Sequence, residues 1–344
     1  MATVHSLFGV ARASRAMEIA VMQNPSSTDK NISVAIATYN RAHIVADTLG
    51  HILNQTRPPN EIVVVDDGST DHTQAVVENL DPRIRYIKVP NGGPGAALKM
   101  AIEHCAGDWI TVCDDDDKWR PDHLERRVKL LDTFPEADFT FSNFTSFGPD
   151  ARPGFNQFEL MPQAWWDDFP AANEEGFQWL GKDLLGKFLD FNPVFPTSIC
   201  FSRGLYARCG GIDPQYSRLG CWDAHFIWRC VSHGSVACDR KITVETRKHG
   251  ANFSKKRSRV CLERVQMLES AWHAGWIPVT VKANIFRAIH SSLIEGAWHA
   301  WNEKDYPFFF DAVRQIPPQE LPRGLKLRAL FARLPGPARD LLRG

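Results

Sequence analysis

From residue 32 the chain alternates between two hydrophobic periods. Residues 32–37 are a short apolar run, and residues 62–65 read Ile-Val-Val-Val, a β-branched block of the kind buried on both faces of a sheet. Further strands are expected at 84–89 and 109–113. Between them the apolar positions fall three and four apart. Ala42, Val45, Leu49, Ile52 and Leu53 line one helical face. Ala97, Leu98, Ala101, Ile102 and Cys105 line another, in a helix starting near Ala96. Ser69 suits the N-cap of a helix over 70–80, with Asp71 favourable in its first turn. Pro121 suits the first position of the next helix, whose inner face is Leu124, Val128 and Leu131. Repeated strand–helix alternation predicts crossover units: an α/β fold with a Rossmann-like, mainly parallel sheet flanked by helices.

The pattern then changes twice. Residues 145–196 are rich in Trp, Phe, Pro and Asp with little periodicity, and they hold Trp165, Trp166 and Trp179. Such a stretch reads as an acceptor-binding excursion or a mobile lid. From Arg259 the helical period returns through Leu262, Val265, Leu268, Trp272, Ile285, Ile289, Leu293 and Trp298, predicting a C-terminal helical region. The expected division is an extension and linker over 1–30, the α/β domain over 31–255 and the helical region over 256–344.

Bulk composition narrows the function. With 344 residues, 44% hydrophobic content and a formal net charge of zero, the chain can bury a large core and has no electrostatic footprint for nucleic acid. Its 8 cysteines include no C-x-x-C pair, so reduced, buried thiols of a cytosolic protein are expected. No apolar stretch is long enough to span a bilayer. Arg12 and Arg15 interrupt the first 22 residues, so no secretory signal is expected there. Near the C-terminus, Lys326, Arg328, Arg333, Arg339 and Arg343 lie among leucines and a phenylalanine, which suits either an anionic membrane surface or a solvated tail helix.

Three polar clusters follow the strand candidates. Thr38-Tyr39-Asn40 ends the first, Asp66-Asp67-Gly68-Ser69 the second and Asp114-Asp115-Asp116-Asp117 the fourth. In open α/β sheets, ligands bind at the carboxyl ends of the strands, so these clusters are expected to share one edge. Four adjacent carboxylates repel one another unless solvated or neutralised. An isolated acidic run would read as a solvated loop; past a buried strand it reads as a hard-metal site. Asp114 and Asp116 point the same way if the strand geometry continues, and oxygen ligands suit Mg²⁺ or Mn²⁺. The stretch Asn91-Gly92-Gly93-Pro94-Gly95 precedes a helix N-terminus, whose free amides near Gly95 would favour an anion. It fails as a dinucleotide fingerprint, because Leu98 stands where the third glycine belongs.

The ordered set VAIATYNRA, VVVDDGSTD, GAALKMAI and GDWITVCDDDDKWRPDHL, continued by TSICFSR, CGGID, Trp222-Asp223 and Arg247-x-His249-Gly250-x-Asn252-x-Ser254, resembles the family-two, GT-A-fold inverting glycosyltransferases over residues 31 to 255. The resemblance implies transfer of a sugar from a nucleotide diphosphate donor, UDP-linked by default, to an acceptor hydroxyl on a saccharide or lipid carrier, in polysaccharide or glycolipid assembly. It implies that Thr38, Tyr39, Asn40 and Asp67 hold the donor base and ribose. It also implies that Asp116 ligates the metal and that Asp114 meets the ribose or a metal-bound water. It makes Asp223 the general base, with Asp213 as runner-up. His249 would complete the metal shell or touch the diphosphate, and Arg247 would fork onto phosphate oxygens. The expected location is cytoplasmic, with peripheral contact at the inner face of a membrane through the C-terminal region.

The chain departs from the family pattern twice. Leu98 replaces a usual arginine, leaving Lys99 to supply positive charge, and Trp222 replaces the acid that normally precedes the base. Trp222 would then stack on an acceptor sugar or act as a buried anchor. Two other classes compete with the transferase. A nucleotidylyltransferase wants a glycine-rich, arginine-bearing loop after the first strand, where this chain has Thr38-Tyr39-Asn40-Arg41. A non-catalytic nucleotide-sugar or carbohydrate-binding module would keep the fold and lose the chemistry.

Overall fold

A computed structural model describes residues 30–250 and 256–331. Among them the strands are β1 (Ile32–Thr38), β2 (Glu61–Asp66), β3 (Ile84–Lys88), β4 (Trp109–Val112), β5 (Lys118–Trp119), β6 (Phe139–Phe147), β7 (Phe177–Gly181), β8 (Ile199–Ser202) and β9 (Val236–Arg247). The helices are α1 (Val45–Leu53), α2 (Thr73–Glu78), α3 (Pro94–His104), α4 (His123–Thr133), α5 (Gln163–Trp166), α6 (Leu185–Asp190), α7 (Arg203–Arg208), α8 (Trp222–His233), α9 (Arg257–His273), α10 (Lys282–Glu303), α11 (Tyr306–Gln315) and α12 (Arg323–Phe331).

One sheet runs β3-β2-β1-β4-β8-β6-β9-β5, with β7 also pairing on β9. Strand alternation places successive side chains on opposite faces. Ile32, Val34, Ile36, Ile62 and Val64 pack with α1 on one face. Ala35, Val63 and Val65 pack with Ala97, Leu98, Ala101 and Ile102 of α3 on the other. The all-apolar block of β2 is therefore buried on both sides, each valine contributing about 1.5–3 kcal/mol of burial. β3, β2, β1 and β4 are mutually parallel, as are β6 and β9. β8 runs antiparallel to β4 and β6, and β5 and β7 run antiparallel to β9. The sheet is thus mixed rather than mainly parallel. Antiparallel neighbours need no crossover helix, so strand–helix alternation carries no signal for them.

Several local expectations shift. α4 starts at His123 behind Asp122, and Pro121 lies outside it, its carbonyl accepting from the Thr56 N–H at 2.9 Å. Ser69 does not cap α2; its hydroxyl accepts from the Asn40 N–H at 2.8 Å. Asp71 takes over near that helix, accepting from the Thr73 N–H at 3.0 Å. The 145–196 stretch is not a loose lid. Trp165 and Trp166 are buried edge-to-face, 4.7 Å between centroids, and the Arg240 guanidinium lies 3.6 Å from the Trp166 ring centre. The C-terminal helices share a core with the sheet: Val265, Leu268, Ile285, Leu293 and Phe309 belong to the same apolar cluster as Phe188, Phe201 and Phe226. All eight cysteines are buried and free. Asn252, Ser254, the extension over 1–29 and Arg333, Arg339 and Arg343 fall outside the described residues.

Candidate active site

Strand register assembles the site. Thr38 pairs with Asp66, and Ala35 pairs with Val112, so β1, β2 and β4 end on one edge and deliver their polar clusters there. The acidic turn between β4 and β5 is fixed from several directions. The Thr48 hydroxyl of α1 donates to the carbonyls of Asp115 at 3.1 Å and Asp117 at 2.9 Å. Arg41 reaches the Asp115 carboxylate at 3.4 Å and that of Asp116 at 3.5 Å. Asp116 Oδ2 lies 3.0 Å from His249 Nε2. Asp117 is fully buried and accepts from the Thr197 hydroxyl at 2.6 Å and the Arg247 N–H at 2.8 Å.

The electrostatics are dominated by crowded acids. Burial, then the neighbouring Asp117, Asp116, Asp115 and Asp223 carboxylates, raises Asp114 well above the ordinary range. Burial lifts Asp115 to about 6 against the opposing pull of Arg41. Burial, and then Asp116, lifts Asp117 to about 7. Asp223, in the first turn of α8, is also raised, chiefly by burial. Its charge is felt at Asp114, although 109 positions separate the two in the chain. Among the described residues, Arg41, Lys118, Arg247 and Lys248 are cations acting on Asp47, Asp115, Asp116 and Asp117, against the six acids Asp47, Asp114, Asp115, Asp116, Asp117 and Asp223. Excess negative charge of this kind is relieved by protons or by a cation. Among the described residues, no three His, Cys, Asp or Glu side chains stand in a metal-holding arrangement. Asp116 and His249, 3.0 Å apart, come nearest to one, and Asp114 feels the Asp116 charge.

The remaining residues have specific placements. Tyr39 is 47% exposed, just past the end of β1. Asn40 has a left-handed backbone (φ 53°), and its side-chain oxygen accepts from the Thr70 N–H at 2.8 Å. Asp67 accepts from the Gly92 N–H at 2.6 Å and the Gly93 N–H at 3.0 Å, thereby holding the glycine loop. That loop corrects an expectation. The Gly95 N–H donates to the Ser217 carbonyl at 3.1 Å and the Ala96 N–H to the Ser217 hydroxyl at 2.7 Å, so the helix start offers no free amide at Gly95. Gly95 is needed for close approach, because a Cβ there would lie 2.9 Å from Ser217 Cα and 3.3 Å from the Trp222 ring. Lys99 is ion-paired with Glu103 one turn along α3 and is thus not a bare charge held out to a phosphate. The Arg247 guanidinium is likewise engaged: it donates to Asp47 at 2.6 Å and to the Asp116 carbonyl at 2.7 Å, 4.5 Å over the Phe147 ring. Asp213 accepts from the Gln215 N–H at 3.1 Å, a turn-capping role.

Comparison with known proteins now decides the family. Residues 33–188 match the model for glycosyl transferase family 2. An uncharacterized glycosyltransferase of Rickettsia prowazekii is 31% identical over 268 residues, 78% of this chain and 76% of the relative. The chain belongs to glycosyl transferase family 2. Two shorter family matches are a putative teichuronic acid biosynthesis glycosyltransferase of Bacillus subtilis and a succinoglycan biosynthesis protein of Rhizobium meliloti. The first is 32% identical over 39% of this chain, the second 40% identical over 41%. This family-2 chain spans about half the length of those two relatives, 54% and 42%. By fold it is similar to S. aureus TarS 1-349 in complex with UDP-GlcNAc (TM-score 0.60, 19% identity, 90% of this chain and 88% of that one). It is also similar to a mannosyltransferase of Pyrobaculum calidifontis in complex with GDP-Man and Mn²⁺ (TM-score 0.54, 19% identity, 90% and 82%). The GT-A fold follows from these likenesses together with the sheet and its flanking helices. Sequence reasoning assigned no role to Thr48, Ser217 or Arg41, although Arg41 immediately follows the Thr38-Tyr39-Asn40 cluster.

Proposed function

We propose that this family-2 chain is a metal-dependent inverting glycosyltransferase that moves a sugar from a nucleotide diphosphate, UDP-linked in the first instance, to an acceptor hydroxyl. The carrying observation is the acidic turn after β4 on the same sheet edge as Thr38 and Asp66, with His249 Nε2 3.0 Å from Asp116 Oδ2. Asp114, Asp116 and His249 would hold Mn²⁺ or Mg²⁺. The bound ion supplies Lewis-acid charge to the departing nucleotide. Asp223 takes the proton from the acceptor hydroxyl as that oxygen attacks the anomeric carbon and the nucleotide leaves from the opposite face. Its raised proton affinity suits that task. Tyr39 offers its exposed ring to the donor base, beside Thr38 and Asp67. Polysaccharide assembly in the cytoplasm is the natural setting, in keeping with the teichuronic acid and succinoglycan names of two relatives.

The test is transfer assayed with UDP- and GDP-sugars, with Mn²⁺ and with EDTA. Turnover that needs the ion and inverts the anomeric carbon, read by NMR, supports the reading. Donor binding without any turnover across acceptors would leave a binding module. The reading extends to lipid. Among the described residues no helix is long and apolar enough to cross a membrane. α12 nevertheless exposes Leu327, Leu330 and Phe331 beside the exposed Arg323 and Lys326, a composition that suits an anionic surface. Sedimentation with phosphatidylglycerol vesicles, absent with phosphatidylcholine, is the expected result; no sedimentation with either removes the membrane contact.

A further inference from the structure

Both oxygens of Asp117 are spent inside the protein. One accepts from the Thr197 hydroxyl at 2.6 Å, the other from the Arg247 N–H at 2.8 Å. The Thr197 hydroxyl has a single hydrogen, and it also accepts from the Asp114 N–H at 3.1 Å, so both its roles are fixed. Thr197 is itself fully buried, and its carbonyl accepts from the Trp119 indole at 3.0 Å, which anchors its main chain. The Arg247 N–H opens the segment that carries His249 onto Asp116. One carboxylate thus joins three segments: the acidic turn, the turn before β8 and the end of β9.

We propose that Asp117 is an anchor and not a metal ligand, and that Asp117 and Thr197 are positioning residues that hold Asp114, Asp116 and His249 in register. This rests on the transferase reading above and adds a division of labour within the acidic run. A buried hydrogen-bonded carboxylate set in this way orients ligands it does not join, and losing such a partner typically weakens metal affinity by about 10–100-fold.

The experiment measures Mn²⁺ affinity of the full chain with UDP present, by EPR of the free ion, alongside circular dichroism. Thr197→Val should weaken Mn²⁺ about tenfold, and Thr197→Ser, which keeps the hydroxyl, should restore affinity to within about threefold. Asp117→Asn should weaken it by a similar factor, and the Asp117→Asn/Thr197→Val double variant should be no worse than the weaker single, as expected for two residues acting through one contact. Should Thr197→Val fail to fold, the Ser and Asn variants carry the test. Wild-type affinity in Thr197→Val, or abolished binding in Asp117→Asn while Thr197→Val is unaffected, overturns the proposal, the second by making Asp117 a ligand. Wild-type protein that binds neither Mn²⁺ nor UDP would instead defeat the transferase reading itself.

Discussion

In the proposed mechanism Asp116 and Asp223 divide the chemistry between them, and each can be removed separately. Asp116→Ala deletes the carboxylate nearest His249, so UDP binding should lose its dependence on Mn²⁺. Calorimetry with and without the ion checks this, and undiminished Mn²⁺-dependent binding would exclude the metal role. Asp223→Asn keeps shape and helix position while removing the proton acceptor. Transfer should slow by roughly 10²–10⁴-fold with donor affinity unchanged, the usual share of a general base. Near-wild-type transfer would move the base elsewhere. The pH profile carries an independent sign. A base must be ionised to work, and Asp223 is raised above the ordinary aspartate value. The acid limb of the rate profile should therefore sit at higher pH than a solvent-exposed aspartate would give, and Asp223→Asn should abolish that limb.

At the scale of elements, the contact between the α3 start and the Ser217 turn is the joint that brings Trp222, at the start of α8, against Gly95. Gly95→Ala would place a methyl into backbone at 2.9 Å and should cost about 1–3 kcal/mol. Gly50→Ala on α1 meets nothing within 4 Å and should instead stabilise by about 0.5–1 kcal/mol, since glycine is the costlier residue in a helix. Urea unfolding of the pair checks both signs. The same contrast shows what the sequence can announce. β1, β2 and β4 and their polar ends were legible because two-sided burial writes itself as continuous apolar runs. Asp223 was legible only through resemblance. Ser217, Thr48 and the partners of Arg247 were not legible at all, since each acts through a hydrogen bond across 67 or more positions and leaves no local period. For the same reason the sequence alone presents Gly95 and Arg247 as anion contacts: composition cannot show that their donors are already taken.

For the whole molecule, the acidic edge makes stability depend on pH in the direction opposite to that of most carboxylates. Asp115 and Asp117 have folded-state values of about 6 and about 7, above the ordinary 3.8. Between roughly pH 4 and 7 the folded form therefore binds more protons than the unfolded chain, and stability falls as pH rises through that window. Carboxylates held low, such as Asp47 beside Arg247 and Lys118, act the other way, but their contribution is lost only as pH drops below the ordinary aspartate range. From pH 8 to pH 6 the raised acids set the slope of the carboxylate contribution, while burial holds His123 and His225 below the ordinary histidine value and pulls the other way, so the test is the difference from a variant: on going from pH 8 to pH 6 the melting temperature of the metal-free protein should rise more, or fall less, than that of Asp117→Asn. At the proposed site Mn²⁺ competes with protons for Asp114, its charge disfavours protonation of the neighbouring Asp115 and Asp117, and it binds only the folded arrangement, so its stabilisation should be larger at pH 8 than at pH 6. Melting curves at both pH values, with EDTA and with Mn²⁺ plus UDP, measure this directly. A Mn²⁺ effect that grows on acidification would mean that the ion does not engage the crowded carboxylates.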